Sequence, residues 1–185
     1  MDPKTTAILT LDIQQGLLDL APDAQAVVPA AVQVTGYGRE QDMLIIHVGI
    51  GFEPGYPEIP ATSPLWGKLR DRGLFVKGSP SAQIPSTLRD ASDTVLYKQR
   101  VSGFTETPLD MILRSKGIKT LVLMGISTSH IVFSTMRNAI EKDYACVIIR
   151  DGCYDTEQDV HDVLLEKVFA REATVMTAAE FTRRS

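Results

Sequence analysis

Continuous apolar runs of strand length recur along this chain and constrain its fold more than any other feature. Six of them lie at residues 7–11, 43–48, 94–97, 120–124, 145–149 and 174–176. The runs do not alternate between apolar and polar residues, which is typical of strands buried on both faces of a parallel sheet. The sequence therefore predicts a mainly parallel sheet with helices against both of its faces.

Between most of these runs lie segments whose apolar residues have helical spacing. One stripe consists of Leu109, Ile112 and Leu113, and Gly117 is a typical C-terminal stop for it. Two further stripes follow the fourth and fifth runs: Val132, Met136, Ala139 and Ile140, and then Val160, Val163, Leu164 and Val168. Strands that alternate with helices are joined by right-handed crossovers. We therefore expect an α/β fold, a three-layer α/β/α sandwich, in a single domain over residues 1–185.

Charge and composition argue against several classes of function. The net charge is −4 and the basic residues form no stripe, which does not favour nucleic acid or an anionic membrane as a partner. No apolar run approaches the roughly 18 residues that a membrane span needs. Cys146 and Cys153 are too few for a disulfide framework, and Cys146 lies inside an apolar run. We therefore expect a cytoplasmic protein.

Residues 50–85 are the exception to the regular pattern, because they are rich in glycine and proline and have no clear period. A stretch of this length inside a compact domain is usually a lid or a binding loop. Trp66 and Phe75 are candidates to anchor it. The alternative is an irregular packed loop that makes no contact with a substrate.

Three of the apolar runs lead into segments with distinctive polar residues. The first run is followed by Asp12 and Gln14. The third ends in a segment of alternating residues: Lys98, Arg100, Ser102 and Phe104. The fourth leads into a segment rich in hydroxyl groups: Gly125, Thr128, Ile131, Val132 and Thr135. In this order, the three blocks resemble the isochorismatase-like family, also called the cysteine hydrolase superfamily.

The resemblance covers nearly the whole chain. The family pattern is D-x-Q after the first strand, K-x-R-x-S-x-F after the third, and G-x-x-T-x-x-C-V-x-x-T after the fourth. It implies six strands in the order 3-2-1-4-5-6, so that the order reverses between the first and fourth strands. Ligands of open parallel sheets bind beyond the carboxyl ends of the strands at such a reversal. Asp12, Lys98 and residues 125–131 are therefore expected to share one crevice.

Asp12 is the candidate acid/base residue and Lys98 its cationic partner, as the resemblance implies. Taken alone, Asp12 fits a turn or helix cap equally well, and Lys98 fits a solvated surface group. In an apolar crevice, burial raises the pKa of a carboxyl group, whereas a nearby ammonium lowers it. Lys98 would also offset negative charge that develops on a substrate. Arg100 is expected to form a structural ion pair.

The nucleophilic cysteine of the family corresponds to Ile131, so no thiol is available at that position. The family also has a non-proline cis peptide here, expected between Ile126 and Ser127. We expect the backbone N–H groups of this turn to form an oxyanion site that needs no cysteine. The candidate substrate-binding residues are drawn from all three blocks and the lid: Gln14, Phe52, Ser102, Phe104, Ile126, Ser127 and His130.

Neither a replacement nucleophile nor a metal site is evident in the sequence. Ser127 and Ser129 lie near the missing thiol, but Ser129 and His130 are adjacent, and neighbouring side chains on a helix do not face each other. His130 fits either the pocket or a subunit contact. None of the three histidines has ligand spacing, and His47 fits a hydrogen-bonded core residue. We expect no metal and no cofactor.

The sequence favours an isochorismatase-like hydrolase that acts on a small molecule without a thiol nucleophile. In this hypothesis Asp12 is the general acid/base, supported by Lys98 and the backbone N–H groups. Isochorismatases also lack the cysteine, but they have glycine where this chain has Ile131, so isochorismate itself is in doubt. The alternative is a non-catalytic pseudoenzyme that binds a small ligand or a protein partner. We also expect a homo-oligomer.

Overall fold

A six-stranded parallel sheet forms the centre of the computed structural model, which describes residues 1–183. The strand order is β3-β2-β1-β4-β5-β6, and every neighbouring pair is parallel. The predicted fold class and strand order are therefore confirmed. The strands are β1 (Thr6–Leu11), β2 (Leu44–Ile50), β3 (Thr94–Lys98), β4 (Thr120–Ile126), β5 (Ala145–Tyr154) and β6 (Thr174–Met176).

Helices cover both faces of this sheet. They are α1 (Gln15–Leu20), α2 (Val27–Glu40), α3 (Pro64–Asp71), α4 (Leu109–Ser115), α5 (Phe133–Ile140), α6 (Gln158–Val163) and α7 (Ala178–Arg183). On one face α2 packs against α7, where the rings of Tyr37 and Phe181 meet edge to face at 5.6 Å. Right-handed crossovers place α4, α5 and α6 on the opposite face. There, Phe133 of α5 stacks on Phe169 with ring centroids 5.9 Å apart.

Burial of the strands explains why their sequences are continuously apolar. All six residues of β1 are buried, as are the last six residues of β2 and of β4. Each of these three strands therefore buries side chains on both faces of the sheet, and burial of apolar area on this scale is the main stabilising contribution to folding. Gly117 ends α4 with a φ of +66°, as expected for a glycine stop.

The backbones of β1 and β4 approach each other closely at Gly125, where the strand order reverses. Gly125 lies opposite Leu11 in the register of these strands. A Cβ atom at Gly125 would lie only 2.1 Å from the backbone oxygen of Leu11. Glycine is therefore required at this position by a close approach of two backbones. The same approach brings the ends of β1 and β4 together at the predicted crevice.

Two features differ from the sequence-based expectation. Strand β5 continues to Tyr154, five residues beyond the predicted end, and its pairing with β4 shifts between Leu123 and Gly125. The shift accommodates extra residues, so the polar positions after residue 149 do not end the strand.

Residues 50–85 are also less irregular than predicted, because they contain α3. Ser63 caps this helix by accepting a hydrogen bond from the Trp66 N–H at 3.3 Å.

A small apolar cluster attaches residues 50–85 to the sheet. It consists of Ile50, Phe52, Ile59 and Phe75, with Trp66 packed against it. The Phe52 N–H donates to the Phe75 carbonyl at 2.8 Å, and this bond fixes the two ends of the segment to each other. Trp66 and Phe75 are thus both part of the anchor, as predicted.

Within residues 1–183, none of the helices combines the length and the apolar character that crossing a membrane requires.

The close approach at Gly125 generates a prediction about stability. Gly125→Ala should destabilise the protein by at least about 1–3 kcal/mol, the usual cost of overpacking, because the obstacle is backbone and cannot rotate away. Chemical denaturation followed by circular dichroism measures this. The matched control is Gly36→Ala in α2, where a Cβ would meet nothing within 4 Å. The control should be neutral or more stable by up to about 1 kcal/mol. Equal stability of the two variants would contradict the prediction.

Candidate active site

Asp12 stands immediately after β1 and faces the crevice at the carboxyl ends of the strands. Its backbone has a φ of +55°, in the left-handed region that aspartate tolerates better than most residues. The residue is only 4% exposed. One carboxylate oxygen, Oδ2, lies 2.9 Å from Lys98 Nζ. The other, Oδ1, is buried and has no hydrogen-bond partner within residues 1–183. Asp12 itself lines the cavity described below.

Lys98 is the last residue of β3, and only 1% of it is exposed. Its side chain extends past the end of β2 to reach Asp12, since β2 lies between β1 and β3 in the sheet. The ammonium also lies 5.7 Å from the centre of the Trp66 ring, within the range of a cation–π contact. Lys98 is thus a buried cation and not a solvated surface group.

Burial and charge act in opposite directions on Asp12. Burial raises the pKa of its carboxyl group from 3.8 to about 6, and the nearby ammonium of Lys98 partly opposes that rise. Because the pKa lies close to neutrality, the protonated and ionised forms of Asp12 are both accessible under ordinary conditions. A group with this property can both give and take a proton during a reaction.

The turn after β4 forms the facing wall. The peptide bond between Ile126 and Ser127 is cis, as predicted. A single wide turn, Thr128–Val132, follows and leads into α5. The Ser129 N–H donates to the Asp155 carboxylate at 2.7 Å, which fixes the turn to the end of β5.

A cavity of about 400 Å³ lies between these walls. Six residues that the sequence singled out line it together: Asp12, Lys98, Ile126, Ser127, His130 and Ile131. The three sequence blocks therefore converge on one cavity. Ile131 is only 1% exposed, and its side chain packs with the core while it borders the cavity. His130 borders the cavity as well, the first of the two locations considered for it.

Gln14 does not line this cavity, although it was predicted to bind substrate. Its side chain is fully buried and its Nε2 donates to the carbonyls of Ile50 and Ala82, both at 2.9 Å. Its Oε1 accepts from the Ile50 N–H at 2.7 Å. Gly49 leaves the necessary space, because a Cβ there would lie 2.7 Å from Gln14 Cδ. Gln14 thus connects β1, β2 and the chain near residue 82.

Three other predicted substrate-binding residues also lie outside the cavity lining. Phe52 is fully buried in the cluster that anchors residues 50–85. Ser102 accepts a hydrogen bond from the Phe104 N–H at 3.2 Å, and Phe104 stacks on Tyr144 at 6.1 Å. Their side chains are committed to packing and local hydrogen bonds. Arg100 lies 3.8 Å from Glu106, which is consistent with the structural ion pair expected of it.

Sequence reasoning missed one wall of the cavity, which α3 provides. Besides Trp66, four of its lining residues come from this helix and the residue after it: Leu65, Lys68, Leu69 and Arg72. Their spacing of i, i+3, i+4 and i+7 is that of one helical face, and this was the available signal. Leu17, Leu20 and residues 154–156 also border the cavity.

One residue of α3 and the residue after it give this wall a positive charge. Lys68 and Arg72 are exposed, and neither has an ion-pair partner among residues 1–183. Arg70 on the same helix differs, because it pairs with Asp71 at 3.1 Å. The mouth of the cavity therefore offers two unpaired cations to a ligand.

His47 is part of a buried hydrogen-bond network and not of a metal site. His47 is fully buried, with Nδ1 2.6 Å from the Thr10 hydroxyl and Nε2 2.9 Å from Asp93. It is thus the hydrogen-bonded core residue that the sequence suggested, and burial lowers its pKa. Across the described chain, no three His, Cys, Asp or Glu side chains come together in a way that would hold a metal ion.

Comparison with known proteins identifies the family. A model of the isochorismatase domain family matches residues 6–180. The chain belongs to the isochorismatase family. The prediction from the three sequence blocks is confirmed, and with it the assignment to a family of hydrolases.

Relatives within the isochorismatase family cover most of the chain. Ureidoacrylate amidohydrolase RutB of Methylorubrum extorquens is 31% identical over 176 residues, which span 83% of this chain and 71% of that protein. The isochorismatase family protein YecD of Escherichia coli O157:H7 is 30% identical over 187 residues, 97% of this chain and 96% of that one.

Solved structures show the same fold. A cysteine hydrolase from Pseudomonas syringae has a TM-score of 0.90 at 19% identity, over 100% of this chain and 93% of that one, which establishes likeness of fold alone. N-carbamoylsarcosine amidase from Thermoplasma acidophilum has a TM-score of 0.77 at 27% identity, over 94% of this chain and 96% of that one.

The opposing effects on Asp12 can be measured directly. In protein labelled with ¹³C at aspartate, one carboxyl resonance should titrate with a pKa of about 6. Asp12→Asn assigns the resonance by removing it. Lys98→Met should move the midpoint to higher pH, because the ammonium that favours the ionised form is lost. A midpoint near 4 in the unsubstituted protein would contradict the assignment of a desolvated carboxyl group.

Proposed function

We propose that this protein hydrolyses a small metabolite without a thiol nucleophile, with Asp12 as the general acid/base. The observation that carries the proposal is the buried Asp12–Lys98 pair, both residues of which line a cavity of about 400 Å³. That volume is within the range of about 300–1,000 Å³ that small-molecule sites have. The family membership supports hydrolysis as the type of reaction.

Proton transfer by Asp12 would work in either direction near neutral pH. In its protonated form Asp12 donates to the group that leaves the substrate, and in its ionised form it removes a proton from attacking water. Lys98 holds the carboxylate in position and offsets negative charge on the reacting oxygen. If donation limits the rate, activity falls as the pH rises through about 6, and if acceptance limits it, activity falls as the pH decreases through that value.

Backbone N–H groups of the turn after β4 are the proposed oxyanion site. The turn borders the cavity at Ile126, Ser127 and Ile131, and the chain then enters α5. The N–H groups of Ser129, His130 and Val132 already donate to the Asp155 carboxylate or to the Ser127 carbonyl, so the donors would be the remaining N–H groups of the turn. Such groups stabilise an oxyanion without a side chain, and the substitution of the family's cysteine by Ile131 would not remove them.

The substrate we propose carries an anionic group. Lys68 and Arg72 lie at the cavity without ion-pair partners in the described chain, and a carboxylate would satisfy them. Two relatives are an amidohydrolase and an amidase by name, which supports a carbon–nitrogen bond of an amide or a ureido group as the bond broken. The apolar lining from Leu17, Leu69 and Ile126 would contact the rest of the molecule.

The position of the Ile131 side chain bears on whether the protein catalyses a reaction or only binds a ligand. Had its side chain filled the space beside Asp12, the pseudoenzyme alternative would have gained support. Instead, the cavity remains open next to both residues. We therefore place catalysis first, and a screen of small amides and ureido acids decides whether there is turnover. A cytoplasmic location and a homo-oligomeric state stay predictions.

Substitutions of the charged pair test the function. On a substrate found by that screen, Asp12→Asn should lower turnover by at least about 100-fold, the lower end for a general acid or base. The fold should persist, since the two side chains are almost isosteric, but with lower stability, because the buried Lys98 ammonium loses its charge partner. Lys98→Ala should also lower turnover, and the double variant should be little worse than Asp12→Asn, because residues that act as a unit are not additive. Full activity of Asp12→Asn would show that the site is assigned wrongly.

The cysteines provide an independent test of thiol-free chemistry. Cys146 and Cys153 are both buried, and burial raises the pKa of each thiol to about 12. Thiolate is the reactive form, so iodoacetamide should modify neither residue in the folded protein and should leave turnover unchanged. Intact-mass spectrometry and a parallel activity assay measure the two outcomes. Loss of turnover together with alkylation of either cysteine would contradict the proposal.

A further inference from the structure

A serine hydroxyl and an imidazole meet at the cavity wall, and the mechanism above uses neither. Ser127 Oγ lies 3.1 Å from His130 Nδ1, and both residues line the cavity that contains Asp12 and Lys98. A hydroxyl within hydrogen-bond distance of a histidine, at the border of a cavity, is the nucleophile–base part of the geometric signature of an activated nucleophile.

Local backbone structure explains why these two side chains meet. Ser127 is extended, with φ −107° and ψ 162°, and it directly precedes the turn Thr128–Val132. Its hydroxyl caps no backbone N–H of that turn, which leaves it available to a side chain. Residues three apart on a helical turn lie on the same face, and His130 is three residues after Ser127. Sequence reasoning compared His130 with the adjacent Ser129 and missed this spacing.

We propose that Ser127 is a catalytic nucleophile and His130 its general base. The inference rests on the proposed hydrolysis, since it identifies the attacking group for the same cavity. It gives the chain a hydroxyl nucleophile in the turn where the family's cysteine would lie, four residues before Ile131.

The reaction balances with water as the only co-reactant. Ser127 Oγ bonds to the carbonyl carbon of the substrate as its proton moves to His130 Nδ1, and the carbonyl electron pair moves onto oxygen. Collapse of this intermediate breaks the bond to the leaving amine or alcohol, which takes the proton from His130. Water then attacks the acyl-serine, His130 accepts a proton from it, and the proton returns to Ser127 Oγ as the carboxylic acid leaves.

Two other hydroxyl–imidazole pairs in the same region serve as internal comparisons. Ser129 Oγ lies 3.0 Å from the same His130 Nδ1, but Ser129 does not line the cavity. Thr128 Oγ1 lies 2.8 Å from His161 Nδ1, yet Thr128 is fully buried and neither residue borders the cavity. A comparable distance to histidine is therefore common to all three hydroxyl groups. Only Ser127 combines it with access to a substrate.

A fluorophosphonate probe tests the proposal without knowledge of the substrate. An activated serine attacks its phosphorus and displaces fluoride, which leaves a stable adduct. Intact-mass spectrometry of the full chain should show one adduct, and peptide mapping should place it on Ser127. Ser127→Ala should abolish labelling, and His130→Gln should slow it by at least about 100-fold, the lower end for loss of a general base. Ser129→Ala, the matched control, should be labelled like the unsubstituted protein.

Mapping on the unsubstituted protein decides the matter even if a variant fails to fold. The absence of an adduct, or an adduct on Ser129 or Thr128, would overturn the proposal. Unchanged labelling of a folded His130→Gln would also overturn the role of His130. Failure of the Ser127 proposal can be distinguished from failure of the proposed hydrolysis. If Asp12 acts with water alone, Asp12→Asn should still lose turnover although no serine is labelled. Conversely, Ser127 labelling that persists in Asp12→Asn supports the serine independently.

Discussion

The mutual burial of Asp12 and Lys98 is the interaction on which the rest of the site depends. Removing either charge from water is costly, and the two are stable at the carboxyl edge of the sheet only because each compensates the other at 2.9 Å. The order β3-β2-β1 makes this possible, since it places the ends of β1 and β3 on either side of β2. Loss of one partner would leave an uncompensated buried charge, so both positions combine structural and proposed chemical importance.

Residues around the Asp12–Lys98 pair hold its surroundings in place. The side chain of Gln14 makes three hydrogen bonds to the backbone of Ile50 and Ala82. These bonds connect the residues after β1 to both ends of the 50–85 segment. Trp66, packed on the anchoring cluster, covers Lys98 with its ring. The segment predicted as a lid is thus a packed wall of the cavity, and its helix α3 presents Lys68 and Arg72 to whatever binds there.

Ile131 borders the cavity with an apolar side chain that has no reactive group. An apolar side chain at this position removes the thiol expected from the family resemblance, whereas the carboxylate, the ammonium and the turn remain around an open space. The two cysteines of the chain are buried elsewhere. The same turn carries hydroxyl groups and His130, so the reactive groups available are oxygen and nitrogen atoms. This composition is why the proposals concern proton transfer and a serine nucleophile.

The sequence by itself determined the parallel sheet, because continuous apolar runs are local signals of strands buried on both faces. The family resemblance of three sequence blocks implied the strand order and the meeting of Asp12 with residues 125–131. It did not reveal that Gln14, Ser102 and Phe104 point away from the cavity, nor that α3 forms one of its walls. Side-chain direction depends on how each loop folds back on the sheet, and the pKa of Asp12 depends on how much water the neighbouring elements exclude. Only the tertiary structure decides the side-chain directions and the pKa of Asp12, since both arise from contacts between residues far apart in the chain.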